Sequence, residues 1–253
     1  MNINLEGKTA LVTGAGSGIG RAVAIELARQ GAFTFVNYRH NEAGAIETLD
    51  CIKEEGGSGE IVLADVAQTA QVERMMQAVE ARTQRLDILV NNAGGLVKRS
   101  KVSEMSDDLW DEVMTVNVKS TFLCCRGAIR LMNGRGWGRI VNVSSQAAHD
   151  GGGMGAAHYA ASKAAIIAFS KGLAKELAPD GITVNCLAPG ITSTAFHDVF
   201  STPESRQNMV KNTPLGREGS PADIAQTVLF LASDMAAWIT GETININGGA
   251  RMC

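Results

Sequence analysis

Seven short runs along the chain are mostly apolar and rich in Val, Ile and Leu: residues 8–13, 33–37, 60–64, 87–91, 138–143, 182–187 and 243–246. A strand with one wet face alternates apolar and polar side chains, whereas continuous runs of this length suit parallel strands covered on both faces. Between them, apolar residues recur at helical spacing over about 18–30, 41–55, 68–83, 107–133, 157–178 and 221–232. This alternation predicts one α/β domain over 1–253: a Rossmann-type doubly wound parallel sheet of about seven strands, with helices on both faces. The glycine clusters 56–59 and 151–153 are too short to link domains and read as loops.

One stretch breaks the alternation. Residues 191–220 hold Phe196, His197, Phe200, Pro203 and Pro214 among polar positions, where the chain should run outside the carboxyl ends of the strands. Ligands bind at that edge, so the segment is expected to form a substrate lid of short helices.

Two local patterns carry chemistry. The strand candidate at 8–13 feeds Thr13-Gly14-Ala15-Gly16-Ser17-Gly18-Ile19-Gly20 and then a helix, which presents backbone N–H groups and a positive helix end to an anion such as pyrophosphate. Gly14 suits the tight turn, Gly18 the approach of backbone to phosphate, and Gly20 close packing of helix on strand. The spacing Gly-x3-Gly-x-Gly differs from the commoner Gly-x-Gly-x2-Gly fingerprint. Further on, Tyr159 and Lys163 stand four residues apart, one helical turn, so phenol and ammonium share a face and can act on one atom. A nearby cation brings a phenol of pKa about 10 toward working range as a proton donor and acceptor.

Composition removes several alternatives. A net charge of −3 is too balanced to suggest a nucleic-acid partner. No apolar run reaches the roughly 18 residues of a membrane span, and the N-terminus lacks a signal-peptide pattern, so a cytoplasmic location is expected. Cysteines 51, 124, 125, 186 and 253 and histidines 40, 149, 158 and 197 show no metal-ligand spacing, and no metal is expected. His158 adjoins Tyr159, but neighbouring helical residues point about 100° apart, which suggests a surface or pocket-rim role.

With Asp65-Val66, Asn91-Asn92-Ala93-Gly94, Asn117, Asn142-Val143-Ser144-Ser145, Pro189-Gly190, Thr240-Gly241 and Asn247-Gly248-Gly249 in order, the chain resembles the short-chain dehydrogenase/reductase family from about Leu5 to Gly249. The resemblance implies hydride transfer between a nicotinamide and a secondary alcohol or ketone. Ser145 would then donate to the substrate oxygen, Tyr159 would give or take its proton, and Lys163 would lower the Tyr pKa and meet the cofactor ribose. Asn117 would hold a water linking Lys163 to solvent. Most relatives place the Ser thirteen positions before the Tyr; here Gln146 is there, so a one-residue insertion in 146–157 is inferred, absorbed by Gly151-Gly152-Gly153. Ser144 is the fallback, but strand alternation would turn it to the opposite face.

By the same resemblance, Gly14, Ser17, Gly18, Ile19 and Gly20 would hold the cofactor phosphates, Asp65 and Val66 the adenine, and Asn91, Ala93 and Gly94 the ribose and diphosphate side. Pro189, Gly190, Ile191 and Thr194 would meet the nicotinamide end. At the close of the second strand Tyr38 stands where an acid would select NAD, and Arg39 follows, able to clamp a 2′-phosphate. NADP is therefore favoured; Ser17 is neutral where many NADP users carry a base, and NAD stays possible.

A small polar substrate of sugar, polyol or hydroxy-acid type is the leading expectation, with 3-oxoacyl-[acyl-carrier-protein] reduction as the alternative. Asp180 stands where carrier-protein reductases often place a base, although Arg126, Arg130, Arg135 and Arg139 could form a basic patch. A non-catalytic nucleotide binder would have no need for Asn117, Ser145, Tyr159 and Lys163 together. Small and apolar residues along 107–133 and 157–178 exceed one sheet-facing stripe, and relatives pair these helices, so a homotetramer is expected.

Overall fold

The strands are β1 (Thr9–Val12), β2 (Phe33–Tyr38), β3 (Ser58–Leu63), β4 (Ile88–Asn91), β5 (Gly138–Val143), β6 (Ile182–Pro189) and β7 (Thr243–Ile246). In the computed structural model, which describes residues 3–252, they pair in parallel as one sheet ordered β3-β2-β1-β4-β5-β6-β7. Cys253 lies outside the described residues. Strand order reverses between β1 and β4, and a crevice opens there beyond the carboxyl ends of the strands.

Alternation along β1 sends successive side chains to opposite layers. Val12 packs with Val36 under helices α1 (Gly18–Arg29), α2 (Glu42–Glu54) and α10 (Pro221–Leu231), through Leu27, Ile52 and Val228. Leu11 packs with Phe35 and Leu89 under α3 (Thr69–Thr83), α5 (Ser120–Met132) and α7 (Ala157–Leu177), through Met75, Leu123 and Leu173. Strands β1, β4, β5 and β6 are buried throughout, as continuous apolar runs require. The edge strands differ: β3 exposes Ser58, Glu60 and Leu63, and β7 is half-buried, so neither is covered on both faces.

The helical pattern at 107–133 is not one helix. It divides into α4 (Asp107–Met114), a π turn (Thr115–Lys119) and α5. Side chains compete for the backbone at the junction: Asn117 Nδ2 donates to Val113 O, Ser120 Oγ to Val116 O and Thr121 Oγ1 to Asn117 O. Such competition opens a turn locally. The irregular 191–220 region contains α8 (Ala195–Phe200) and α9 (Pro203–Lys211), and a short α6 (Ala147–Asp150) follows β5. Thr202 caps α9 ahead of Pro203, and Ser220 with Asp223 forms a capping box ahead of Pro221.

Arg139 does not join a surface patch. Its side chain is buried at the amino end of β5, stacked on Trp137 and paired with Asp234, while Arg126, Arg130 and Arg135 are exposed. Among the described residues no helix is long and apolar enough to cross a membrane, and no group of three or more His, Cys, Asp or Glu is placed to hold a metal ion.

Candidate active site

The glycine turn after β1 is held by hydrogen bonds from side chains that the sequence alone gave no reason to single out. Thr13 Oγ1 accepts from the N–H groups of Asn92 and Ala93, both at 3.0 Å. Asn37 Oδ1 accepts from Gly14 N at 3.2 Å, while its Nδ2 donates to the carbonyls of Val62 and Ala64. Arg21 Nη2 and Asn41 Nδ2 both donate to Gly16 O. Gly14 sits at φ +62, and a Cβ there would come within 3.1 Å of Ala93 Cα. A Cβ on Gly20 would fall 2.4 Å from Gly14 O, so Gly20 serves the packing of α1 against the turn and does not line the cleft.

With the turn fixed from behind, the first N–H groups of α1 face outward. Ser17, the N-cap, makes no side-chain cap hydrogen bond, which leaves an anion site at a helix start. Gly14, Ser17, Gly18 and Ile19 line one part of a cleft of about 940 Å³. Farther along lie Arg39, Asp65 and Val66, with Arg39 Nη1 3.5 Å from Asp65 Oδ2 and half-exposed. Tyr38 is turned into the core and donates from its hydroxyl to Glu42 Oε1 at 3.0 Å, so this strand end offers Asn37 and the charged Arg39 to the cleft. Ala93, Gly94, Pro189, Gly190, Ile191 and Thr194 also line it. Asn91 does not: its carboxamide is buried and donates to Asn142 Oδ1 at 2.8 Å and to Cys125 Sγ, away from the expected ribose contact. The open helix start, the half-exposed Arg39 guanidinium and the cleft's volume together fit a dinucleotide.

At the other end two serines follow β5. Both border the cleft, but Ser144 is buried and its Oγ donates to Lys163 O at 2.8 Å, whereas Ser145 is half-buried and close enough to Tyr159 to lower the pKa of its phenol. The Ser144 hydroxyl is thus engaged by the backbone of α7, which sets the fallback serine aside. Tyr159 and Lys163 both line the cleft from one face of α7, with Nζ 5.7 Å from the phenol ring centre and donating to Val143 O at 2.9 Å. The inferred insertion falls where α6 ends in Gly151 and Gly152, at φ +84 and +70.

The proton-transfer groups are tuned by burial. Desolvation pushes the Tyr159 phenol up to about 12, against a smaller lowering by Ser145, and pushes the Lys163 ammonium down to about 8. Tyr159 is only half-buried by surface, since it borders the open cleft, so water in the cleft tempers its shift without changing the direction. Desolvation is the largest influence on both groups, disfavouring the phenolate of Tyr159 and the ammonium of Lys163 alike. A Tyr held as the acid is poised to donate a proton.

Asn117 stands behind Gly94 with Lys163: a Cβ on Gly94 would fall 2.4 Å from Asn117 Oδ1 and 3.3 Å from Lys163 Nζ. Its carboxamide accepts from Gly95 N and donates to Gly95 O and Val113 O, tying the loop after β4 to the π turn; the side chain does not line the cleft. His158 is fully buried, contrary to a surface or rim role, with Nε2 2.9 Å from Lys98 O.

A sheet reversing at β1/β4, a helix-start anion site and a Ser-Tyr-Lys set at one cleft define a nucleotide-dependent oxidoreductase. The chain belongs to the short-chain dehydrogenase/reductase family: the family profile described as enoyl-(acyl carrier protein) reductase matches residues 14–251. It is 40% identical over 250 residues to the 3-oxoacyl-[acyl-carrier-protein] reductase FabG of Escherichia coli (strain K12), covering 99% of this chain and 100% of that protein. The FabG of Staphylococcus aureus (strain N315) is 41% identical over 245 residues, covering 97% and 98%. A crystal structure from Sinorhizobium meliloti 1021, provisionally described as a short-chain alcohol dehydrogenase, superposes with a TM-score of 0.92 at 35% identity, covering 99% and 98%. This protein is therefore an enzyme of that family, acting at the C=O/CH–OH level.

Proposed function

We propose that the chain reduces the 3-oxo group of an acyl thioester, with NADPH as the preferred hydride source. The observation that carries this reading is the likeness to carrier-protein reductases over nearly the whole chain, at about 40% identity. Tyr159, protonated near neutrality, can serve as the proton donor of such a reduction. Ser145 and Tyr159 line the same cleft wall, where both hydroxyls would meet the oxygen of a bound carbonyl group. Bound there, a reduced nicotinamide supplies the hydride that no side chain can. As charge grows on the oxygen, Ser145 donates a hydrogen bond and the Tyr159 O–H bond breaks, its proton passing to the oxygen to give the hydroxyl product. Lys163, charged at neutral pH with a pKa near 8, stabilises the phenolate left behind, and solvent restores the proton.

A sugar-like substrate is the second reading, favoured by a specific feature: Gln146 Nε2 donates to Asp150 Oδ2 at 2.9 Å in the cleft wall, beside Ser145. Such a pair suits hydroxyl groups. Both readings are separated by kcat/KM with NADPH and NADH against short 3-oxoacyl thioesters, and with NADP⁺ and NAD⁺ against sugars, polyols and hydroxy acids. Thioester reduction at least tenfold the more efficient supports the proposal. Preference for polyols overturns it, and no turnover with intact nucleotide binding revives a non-catalytic role.

Cofactor preference is assigned to Arg39. Its ion pair with Asp65 is long and half-exposed, so the guanidinium is available to a 2′-phosphate. Arg39→Ala is expected to raise KM for NADPH by roughly tenfold or more, the value of a charge-assisted bond of about 1.5–3 kcal/mol, and to change KM for NADH little. Equal effects on both cofactors would remove this assignment.

A further inference from the structure

The 191–220 excursion is built as a flap on a stalk. Its two ends are pinned together: Ser193 N donates to Gly219 O at 2.8 Å, Gly219 N to Ile191 O at 3.0 Å, and Leu215 N is held by Gly248 O. Beyond that stalk the tip is braced internally, with Arg206 bound to Glu218, Asp198 and Ser193. The tip covers the proton donor, since the Phe196 ring lies 5.8 Å from the Tyr159 ring and packs on Phe200. Among the described residues, the hydrogen bond that joins residues 194–212 to the fold outside 191–220 is Arg99 Nε to Phe200 O, at 2.9 Å.

The same guanidinium holds a second wall of the cleft. Arg99 Nη1 donates to Met154 O at 2.8 Å, in the glycine loop after α6, and a Cβ on Gly153 would touch Nη1 at 3.4 Å. One side chain therefore gathers the loop after β4, the glycine loop and the flap. It is presented from a fixed base. On one side Lys98 O is held by the buried His158, and on the other Ser100 N donates to Gly155 O. Val97, just before, is kept at φ +63, which a β-branched residue adopts only when its surroundings impose it. Both partners of Arg99 are neutral carbonyls, not carboxylates, so the tie is strong enough to order a flap and weak enough to open on each turnover.

We propose that Arg99 is a positioning residue, the latch that closes the 191–220 flap over the substrate, setting substrate retention and product release without taking part in hydride or proton transfer. Its kinetic arm rests on the thioester reading above; its structural arm does not. Full-length Arg99→Met and Arg99→Lys are compared with the wild type by hydrogen–deuterium exchange and by steady-state kinetics with acetoacetyl-CoA and NADPH. Arg99→Met is expected to speed exchange across 194–212 by about tenfold while α1 and α7 stay as protected as before. KM for acetoacetyl-CoA should rise by about tenfold, with kcat equal or higher and NADPH affinity unchanged, because the lost bonds act on retention alone. Arg99→Lys, which keeps the charge but not the fork, should fall between. Unchanged exchange across 194–212 would overturn the latch, as would a fall in kcat at constant KM. Faster exchange in α1 and α7 as well would mark a general structural role and also overturn it. If the wild type does not reduce acetoacetyl-CoA, the thioester reading fails, and the exchange measurement still decides the latch.

Discussion

Tyr159→Phe is expected to lower kcat by about 10²–10⁴-fold, the usual worth of general acid–base catalysis, with little change in NADPH affinity. The phenol hydroxyl shares the cleft wall with Ser145, and burial keeps it protonated, so the variant loses the proton that the carbonyl oxygen must receive. Ser145 stays in place to donate a hydrogen bond but has no means of giving up a proton near neutrality. The ring also packs against Phe196, a contact that Phe preserves, so the fold and flap should be undisturbed. Stopped-flow or steady-state rates with unaltered nucleotide titration check this. Near wild-type kcat on a good substrate would mean that another group delivers the proton.

Lys163 carries the second large effect, in opposite senses for activity and stability. Lys163→Met should lose most turnover and weaken nucleotide binding, because Nζ lies 5.7 Å from the phenol ring centre and close behind Gly94 in the same cleft. The stability effect follows from burial. The folded pKa of about 8 lies below the ordinary 10.5, so the charged form is disfavoured in the fold. That penalty is fully present below pH 8 and fades as pH rises toward 10.5; at about 1.4 kcal/mol per unit it is roughly 3 kcal/mol. Against it, Lys163→Met strands Val143 O, which costs about 1–3 kcal/mol. Wild type should therefore gain on the variant by roughly 3 kcal/mol between pH 8 and 10.5, read by urea unfolding without nucleotide. A pH-independent difference would contradict the burial argument.

These effects rest on residues that differ in how openly the sequence declares them. Tyr159, Lys163 and the Thr13–Gly20 turn are legible because each function lies within one helical turn or one loop, where spacing fixes geometry. Serine choice rests on partners as well as on position, since Ser144 and Ser145 both border the cleft and only the Ser144 hydroxyl is taken up by Lys163 O. Asn91 misled because the last residue of a buried strand can face either layer, and here it pairs with Asn142 and Cys125. The division of 107–133 was hidden because its apolar spacing continues through the π turn; the cause lies in Asn117, Ser120 and Thr121 bonding to the backbone. Thr13, Asn37, Asn92 and Arg99 act across gaps of 23 to 101 residues, which no local pattern encodes. Arg139 shows the limit of counting charges, since its burial is decided by Trp137 and Asp234.

The proposed reduction delivers hydride to a 3-oxo carbon and a proton from Tyr159 to its oxygen. It is checked by reducing acetoacetyl-CoA with NADPH deuterated at the transferable position and analysing the product by mass spectrometry. One deuterium on the carbinol carbon for each NADPH oxidised, with the labelled product formed about 10²–10⁴-fold more slowly by Tyr159→Phe, is the predicted result. Oxidation of NADPH without deuterium in a 3-hydroxyacyl product, or labelled product formed equally well by Tyr159→Phe, would contradict it.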